Sequence, residues 1–281
     1  MNTPDLVVVG HVCRDVTTTP PGWRLGGPAF YAASAAAKLG AAVGVVTAGA
    51  AEVDLLEQIP SATVVSLDAR RSTSFENRYG PNGRTQYLRA LAPPIPADLI
   101  PPEWTKTKLA LLAPVAGEVP PALARAFPHA LLGVSPQGWL RQWDSSGQVR
   151  YRSWERPEEV LSHATAVIFS EEDLSGQRAG WLSYPGPIMV MTRGSAGCQL
   201  TYRGKRRDVP GFATDEVDPT GAGDVFAAAF LLKLGEEREP LAAARFANAV
   251  ASFSVQATGT DGLPTNEEVA ARLRDVDLAL H

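Results

Sequence analysis

Short apolar runs recur along the chain, and each is followed by a stretch that reads as a helix or a turn. The first is residues 6–9 (LVVV), ending at Gly10; others lie at 43–47, 109–112, 131–134, 166–169 and 188–191. Runs this short and this uniformly apolar are strands buried on both faces, which points to a parallel sheet. A helix of small residues is expected over 28–39, with Pro28 in its first turn and Gly40 closing it. Another is expected around 122–126, and three more over 221–234, 240–256 and 265–273, the last with Thr265 as its N-cap. Strands alternating with helices give an α/β fold with its sheet covered on both sides.

Two stretches break this rhythm. Residues 12–24 carry three consecutive threonines and a Pro-Pro-Gly turn, and 72–89 alternate polar and aromatic residues around Pro81-Asn82-Gly83, a hairpin signal. Both read as excursions from the main sheet. Residues 198–209 read as a strand pair turning at Gly204. The proline-rich stretch 91–102 reads as a connector, so residues 1–281 are taken as one domain.

A hydrophobic content of 45% over 281 residues is ample for such a core, and a net charge of −4 gives no electrostatic case for binding nucleic acid. Cys13 and Cys198 lie far apart and near no histidine at zinc spacing, so neither a disulfide framework nor a metal cluster is indicated. The amino-terminal sequence reads as neither a signal peptide nor a span, no other stretch is long enough to cross a bilayer, and a cytoplasmic setting is expected.

The strongest chemical signal is Asp218-Pro219-Thr220-Gly221-Ala222-Gly223-Asp224, running straight into the apolar helix VFAAAFLLKL. Glycines at 221 and 223 let backbone N–H groups converge at a helix N-terminus, where the dipole also favours negative charge. Asp224 then stands beside a bound phosphoryl group, able to accept the proton of an attacking hydroxyl. A plain helix start, with Thr220 as cap and Asp224 complementing the dipole, would need no ligand.

The stretch, its place in the final third and its following helix resemble the signature of the ribokinase-like (PfkB) carbohydrate kinases. Leu25-Gly26-Gly27-Pro28-Ala29 before a small-residue helix resembles the paired-glycine substrate motif of that family, and Asp15 matches its early sugar-binding aspartate. The resemblance implies a three-layer α/β/α fold with a mostly parallel central sheet and a small β lid formed by about 12–24 and 72–90. It implies Asp224 as catalytic base and the amides of Gly221, Ala222 and Gly223 as an anion hole. It also implies ATP and Mg²⁺ as cofactors. Where many members carry asparagine, four places after the second glycine, this chain has Tyr31.

Thr192-Arg193-Gly194-Ser195-Ala196-Gly197 resembles the family's T-x-G-x-x-G nucleotide loop, which assigns Thr192, Gly194 and Gly197 to the nucleotide. Ser170 and Asp173 stand in place of the family's N-x-x-E, with Asp173 an indirect magnesium ligand. Asn248 is a candidate adenine contact, Gly259 belongs to the closing loop, and Leu263 replaces a serine near a monovalent cation. Gln137 and Arg141, just past a strand end, are candidate acceptor contacts. These stretches look most like the myo-inositol kinase branch, so the expected partners are a polyol or sugar and ATP, in a monomer or homodimer. A nucleoside kinase or a non-catalytic sensor with the same fold stays open. An NAD-dependent oxidoreductase does not, since Gly10-His11-Val12-Cys13-Arg14-Asp15 lacks G-x-G-x-x-G.

Overall fold

The computed structural model describes residues 2–19, 21–50, 59, 62–80, 83–177 and 179–279. The expected turn residues Pro20, Pro81 and Asn82 lie outside this range. The chain enters the centre of the sheet through β1 (Leu6–Val9), whose four side chains are all fully buried. Leu6 and Val8 join one hydrophobic core and Val7 and Val9 the other, as the two-residue period of a strand requires.

The chain then leaves the sheet for β2 (Cys13–Val16) and β3 (Trp23–Gly26) and returns through α1 (Pro28–Lys38) to β4 (Val43–Gly49) and β5 (Ala62–Asp68). β6 (Ser74–Gly80) and β7 (Gly83–Ala90) form an antiparallel hairpin that joins β2 and β3 in a four-stranded lid of order β3-β2-β6-β7. These four strands are drawn from the two stretches that break the α/β rhythm.

After the connector come β8 (Leu109–Leu112) and β9 (Leu131–Val134), then a small hairpin, β10 (Arg141–Trp143) and β11 (Val149–Tyr151). The four-residue α2 (Glu158–Leu161) leads to β12 (Ala166–Ser170) and β13 (Ile188–Thr192), and the antiparallel pair β14 (Cys198–Tyr202) and β15 (Lys205–Val209) ends the sheet. The order is β15-β14-β13-β12-β9-β8-β1-β4-β5, parallel from β13 to β5. Three helices close the chain: α3 (Ala222–Glu237), α4 (Pro240–Ser254) and α5 (Asn266–Ala279). Thr265 and Glu268 cap the last of these reciprocally, through Thr265 N–H to Glu268 Oε2 (2.8 Å) and Glu268 N–H to Thr265 Oγ1 (3.3 Å).

The two outer layers differ in kind. One is helical: α1, α3 and α4 pack small and aromatic residues such as Ala32, Phe226, Phe230 and Ala247 on the sheet. Among the described residues the other is made of 3₁₀ turns, the short α2 and buried tryptophans. The helix expected around 122–126 belongs to it and is a 3₁₀ turn, Pro121–Ala126. Pro120 precedes it, Pro121 opens it and Pro128 follows just after Phe127, so no run is left for regular i→i−4 bonding. Tryptophan fills what helices would have covered: Trp139 stacks on Trp154 at 5.1 Å, and Trp154 meets Trp181 edge-on at 5.4 Å. No helix among the described residues is long and apolar enough to cross a membrane.

Candidate active site

A cavity of about 630 Å³ opens over the C-terminal ends of the parallel strands, between the lid, α1 and the N-terminus of α3. That is where open α/β sheets hold ligands. Its floor is the turn into α3. Gly221, with φ of +80°, is the helix N-cap, and a Cβ there would lie 2.3 Å from Cγ of Tyr31. The turn is pinned from below by Val217 and Asp218 N–H groups donating to Val255 O (2.7 and 3.1 Å). The Ala222 amide makes a 3.2 Å bond to Pro219 O, and the amides of Gly221 and Gly223 have no backbone acceptor among the described residues. Those two are the available donors at this helix start.

Asp224 follows within the first turn of α3. Burial first, and then the negative charges of Asp173 and Asp15, push its carboxyl up to about 7, against the opposing pull of Arg141. A carboxyl poised there can accept a proton near neutral pH.

Asp218 is held differently. Its Oδ1 accepts from Thr220 N–H (3.0 Å) and its Oδ2 from Arg24 on β3 (2.8 Å), while Arg24 also reaches Thr220 Oγ1 at 3.4 Å. Burial pushes the Asp218 carboxyl up, but the hydrogen bonds from Thr220 and Arg24 outweigh it and hold the group below its ordinary value. Arg24 thus ties the lid to the floor across 194 residues of sequence, an ion pair that no local pattern in the chain announces.

Removing that tie has an expected cost. Because Arg24 is about one-third exposed, Arg24→Ala should lower the urea-unfolding free energy by only about 1 kcal/mol at neutral pH. The Asp218 contribution is complete above the unfolded carboxyl value of about 3.9 and is lost as pH falls through the lower folded value. The difference between wild type and variant should therefore shrink in acid.

At the lid end, Asp15, Asn77, Gln86, Gln137 and Arg141 line the cavity. Asp15 packs over Gly26: a Cβ on that glycine would lie 2.2 Å from Asp15 Oδ2. Gly27, at φ of +87°, passes within reach of Cys13 Sγ and His11 O, and a side chain there would meet both at 2.8 Å. Of the glycine pair only Gly27 reaches the cavity wall; Gly26 acts through Asp15. Gln137 Nε2 donates to Asp173 Oδ1 (3.1 Å), and Arg141 reaches Val115 O at 3.4 Å. Asn77 and Gln86, paired across the lid hairpin (Gln86 Nε2 to Asn77 Oδ1, 3.0 Å), were not singled out from sequence. The alternation of the hairpin was the available signal, since it puts Asn77 on the same face as Phe75, two residues away.

The far end of the cavity is bounded by Thr192, Gly194, Ser195, Gly197, Phe212 and Val255. Ser170 and Asp173 also line it and serve each other: Ser170 N–H donates to Asp173 Oδ2 (2.9 Å) and Ser170 Oγ accepts from Glu172 N–H (3.1 Å), a capping box. Asn248 lines the cavity, yet its amide donates to Val209 O (3.1 Å) and Pro210 O (3.0 Å), fastening α4 to the end of β15. Gly259 lies away from the cavity lining, and Leu263 is buried in the helical core. One buried carboxylate went unnoticed in the sequence. Glu118 accepts from the amides of His11 (2.9 Å), Val115 (3.0 Å) and Ala116 (2.7 Å), fixing the loop that carries Val115 into the cavity wall.

Residues 150–266 match the family of pfkB carbohydrate kinases. The chain is 39% identical to a ribokinase from Bacillus subtilis, over 38% of its own length and 36% of the ribokinase. It is 27% identical to an inositol 3-kinase from Zea mays over 92% of this chain and 73% of that one. Among solved structures, a pyrophosphate-dependent kinase of the ribokinase family superposes with a TM-score of 0.79 at 22% identity, over 95% of this chain and 99% of that one. Arabidopsis thaliana ribokinase complexed with ribose and ATP gives 0.75 at 20%, over 97% and 99%. The fold is the one these structures share.

Proposed function

We propose that this chain, whose residues 150–266 match the pfkB family of carbohydrate kinases, transfers the terminal phosphoryl group of ATP to a hydroxyl of a small neutral polyol or sugar, myo-inositol foremost. The observation that carries the proposal is Asp224, its carboxyl pushed up to about 7, next to a glycine turn whose Gly221 and Gly223 amides have no backbone acceptor among the described residues.

In this reading the acceptor lies at the lid end, among Asp15, Gln137 and Arg141. The phosphates lie over the α3 N-terminus, near Thr192, Gly194 and Gly197. The acceptor oxygen forms a bond to the γ-phosphorus as the bond to the β-phosphate oxygen breaks, ADP leaves, and the hydroxyl proton passes to Asp224. The amides of the 221–223 turn stabilise the charge on the phosphoryl oxygens.

Magnesium fits the residues present. Asp173 and Glu172 offer hard oxygen donors on the cavity wall, and the repulsion between Asp173 and Asp224 is what a divalent cation would relieve. No cluster of three or more metal-type side chains occurs among the described residues, consistent with an ion held mainly by phosphates and water with one or two carboxylates. When bound with the nucleotide it neutralises the triphosphate, and Asp173 would hold it through water.

ATP is favoured over pyrophosphate as donor by the apolar wall of Phe212, Ala251 and Val255 beyond the phosphate loop, which a bare diphosphate would leave unused. Myo-inositol is favoured as acceptor by the match with the Zea mays kinase along most of this chain and by a lid end lined with amide and carboxylate groups. A panel of polyols, sugars and nucleosides with Mg-ATP or pyrophosphate tests both. ATP-driven product with myo-inositol or a related polyol is expected; ATP binding with no acceptor phosphorylated would leave a sensor.

The pH dependence follows from Asp224. Its protonated form cannot accept the hydroxyl proton, so kcat/KM should rise through about pH 7 to a plateau. Arg141 lowers the Asp224 value, so Arg141→Ala should move that acid limb to higher pH. Steady-state rates between pH 5.5 and 9 read both, and a flat profile across neutrality would contradict Asp224 as the base.

A further inference from the structure

The lid ends on one side at β7, an edge strand of the order β3-β2-β6-β7. An edge strand presents backbone groups that its own sheet does not pair. Part of that edge is taken up by the turn of the β10–β11 hairpin, which the chain builds between β9 and β12. Leu88 N–H donates to Gly147 O (2.8 Å), Tyr87 forms an antiparallel bridge with Gln148, and Arg89 Nη1 donates to Ser146 O (3.2 Å). Gly147 has φ of +85° there, and a Cβ on it would lie 2.3 Å from Leu88 O. Glycine is what allows so close an approach.

The turn owes its shape to Asp144, an exposed residue outside the cavity lining. Its Oδ1 accepts from Ser146 N–H (2.9 Å), Ser146 Oγ (2.6 Å) and Gln148 N–H (3.1 Å), while Oδ2 accepts from Arg150 (3.2 Å). Beneath the contact a small hydrophobic cluster joins the same parts. Cys13 and Phe75 of the lid meet Val115 and Ala116, with Leu88 of β7 and Val149 of β11 packed against them. At the base of the hairpin Arg141 lies 5.8 Å over the Phe75 ring and lines the cavity. The hairpin therefore meets the lid at its turn and at its base. The opposite edge strand, β3, is already tied to the floor through Arg24 and Asp218.

Building on the alcohol-kinase reading above, we propose that the β10–β11 hairpin is a clasp for the lid: Gly147, shaped by Asp144, holds the β7 edge over the cavity and keeps water from the phosphoryl group in transfer. Gly147 and Asp144 are positioning residues that act through β7. With the clasp broken, the Arg24 tie still holds one edge while the other lifts, so the acceptor escapes and water enters. A water oxygen then bonds to the γ-phosphorus in place of the acceptor hydroxyl as the bond to the β-phosphate oxygen breaks. ADP and inorganic phosphate leave, and the water proton passes to Asp224.

The test is Gly147→Ala, with Gly204→Ala as its control. Gly204 also has a positive φ (+72°), but a Cβ there meets nothing within 4 Å, so that variant carries the backbone strain without touching the lid. Hydrogen exchange at the Leu88 amide should be about 10–100-fold faster in Gly147→Ala and unchanged in Gly204→Ala. Titrated without donor, myo-inositol should bind Gly147→Ala about 5–20-fold more weakly, with donor Kd unchanged. With Mg-ATP, a larger share of the ADP formed should be matched by inorganic phosphate instead of phosphomonoester. Asp144→Ala carries the same comparison through an exposed residue and should move all three readouts the same way. Asp144→Asn keeps an oxygen for the Ser146 and Gln148 amides and should stay near wild type. Leu88 exchange as slow in Gly147→Ala as in wild type, or faster exchange with acceptor Kd and phosphate share both unchanged, would overturn the clasp. Faster exchange and weaker polyol binding in the variant, when wild type phosphorylates no acceptor, would support the clasp and sink the kinase reading alone.

Discussion

Asp224→Asn is expected to lower kcat by about 10²–10⁴-fold while leaving donor binding nearly unchanged. Asparagine keeps the size and hydrogen-bonding reach of the side chain and removes its basicity, so the acceptor hydroxyl is still positioned but its proton has nowhere to go. The donor site should tolerate the change, because the amides at the α3 N-terminus are backbone groups. A second readout separates lost chemistry from a damaged fold. The Asp224 carboxyl is pushed up by burial and by Asp173, which means that its charged form is disfavoured in the folded chain. Replacing it with a neutral group removes that penalty, so at pH 8 the variant should melt at or above the wild-type temperature. A variant both inactive and destabilised would point to a structural role.

The glycine turn should show the next largest effect, and its two glycines should fail in different ways. At Gly221 a methyl group must adopt φ of +80° and would sit 2.3–2.5 Å from three ring carbons of Tyr31. Gly221→Ala should therefore cost about 2–5 kcal/mol of stability from left-handed backbone and overpacking combined. It should also lower kcat by about 10²–10³-fold as the amide is turned away. At Gly223 a Cβ meets nothing within 4 Å and the backbone is ordinary, so Gly223→Ala should leave stability equal or slightly raised. Gly223 lines the cavity, and a methyl there obstructs a ligand, so activity should still fall. Chemical denaturation beside initial-rate measurements distinguishes the two. Equal loss of stability in both variants would mean that the turn is not shaped as described.

The parts of the fold legible in the sequence were those governed by one local rule. β1, β8, β9 and β12 could be read because each is an apolar run that feeds both cores through alternate residues. The lid hairpin could be read because polar residues alternate on either side of Asn82-Gly83. The 3₁₀ layer could not, because Pro121–Ala126 has the composition of a helix and only its flanking prolines deny it one. The site divides the same way. Thr220, Gly221 and Asp224 are neighbours in sequence and so form a pattern. Arg24 with Asp218, Gln137 with Asp173, and Asn248 with Val209 are pairs made by the sheet and helices, 36 to 194 residues apart. Gln137 and Asn248 both line the cavity, and the fold gives each of these amides a protein partner as well. Tyr31 shows the limit most clearly. Only its place four residues after the second glycine could be read from the chain, and only the fold seats its ring on Gly221 and leaves its hydroxyl without a partner among the described residues.

The central claim is that this cavity moves a phosphoryl group from ATP to a polyol hydroxyl through Asp224. Phosphorus NMR of the protein with magnesium, ATP and myo-inositol reads that transfer directly. A phosphomonoester resonance growing in step with ADP, and absent from the Asp224→Asn sample over the same time, is the predicted result. A phosphomonoester forming at the same rate in both samples, or ATP consumed with only inorganic phosphate appearing across the polyol and sugar panel, would contradict it.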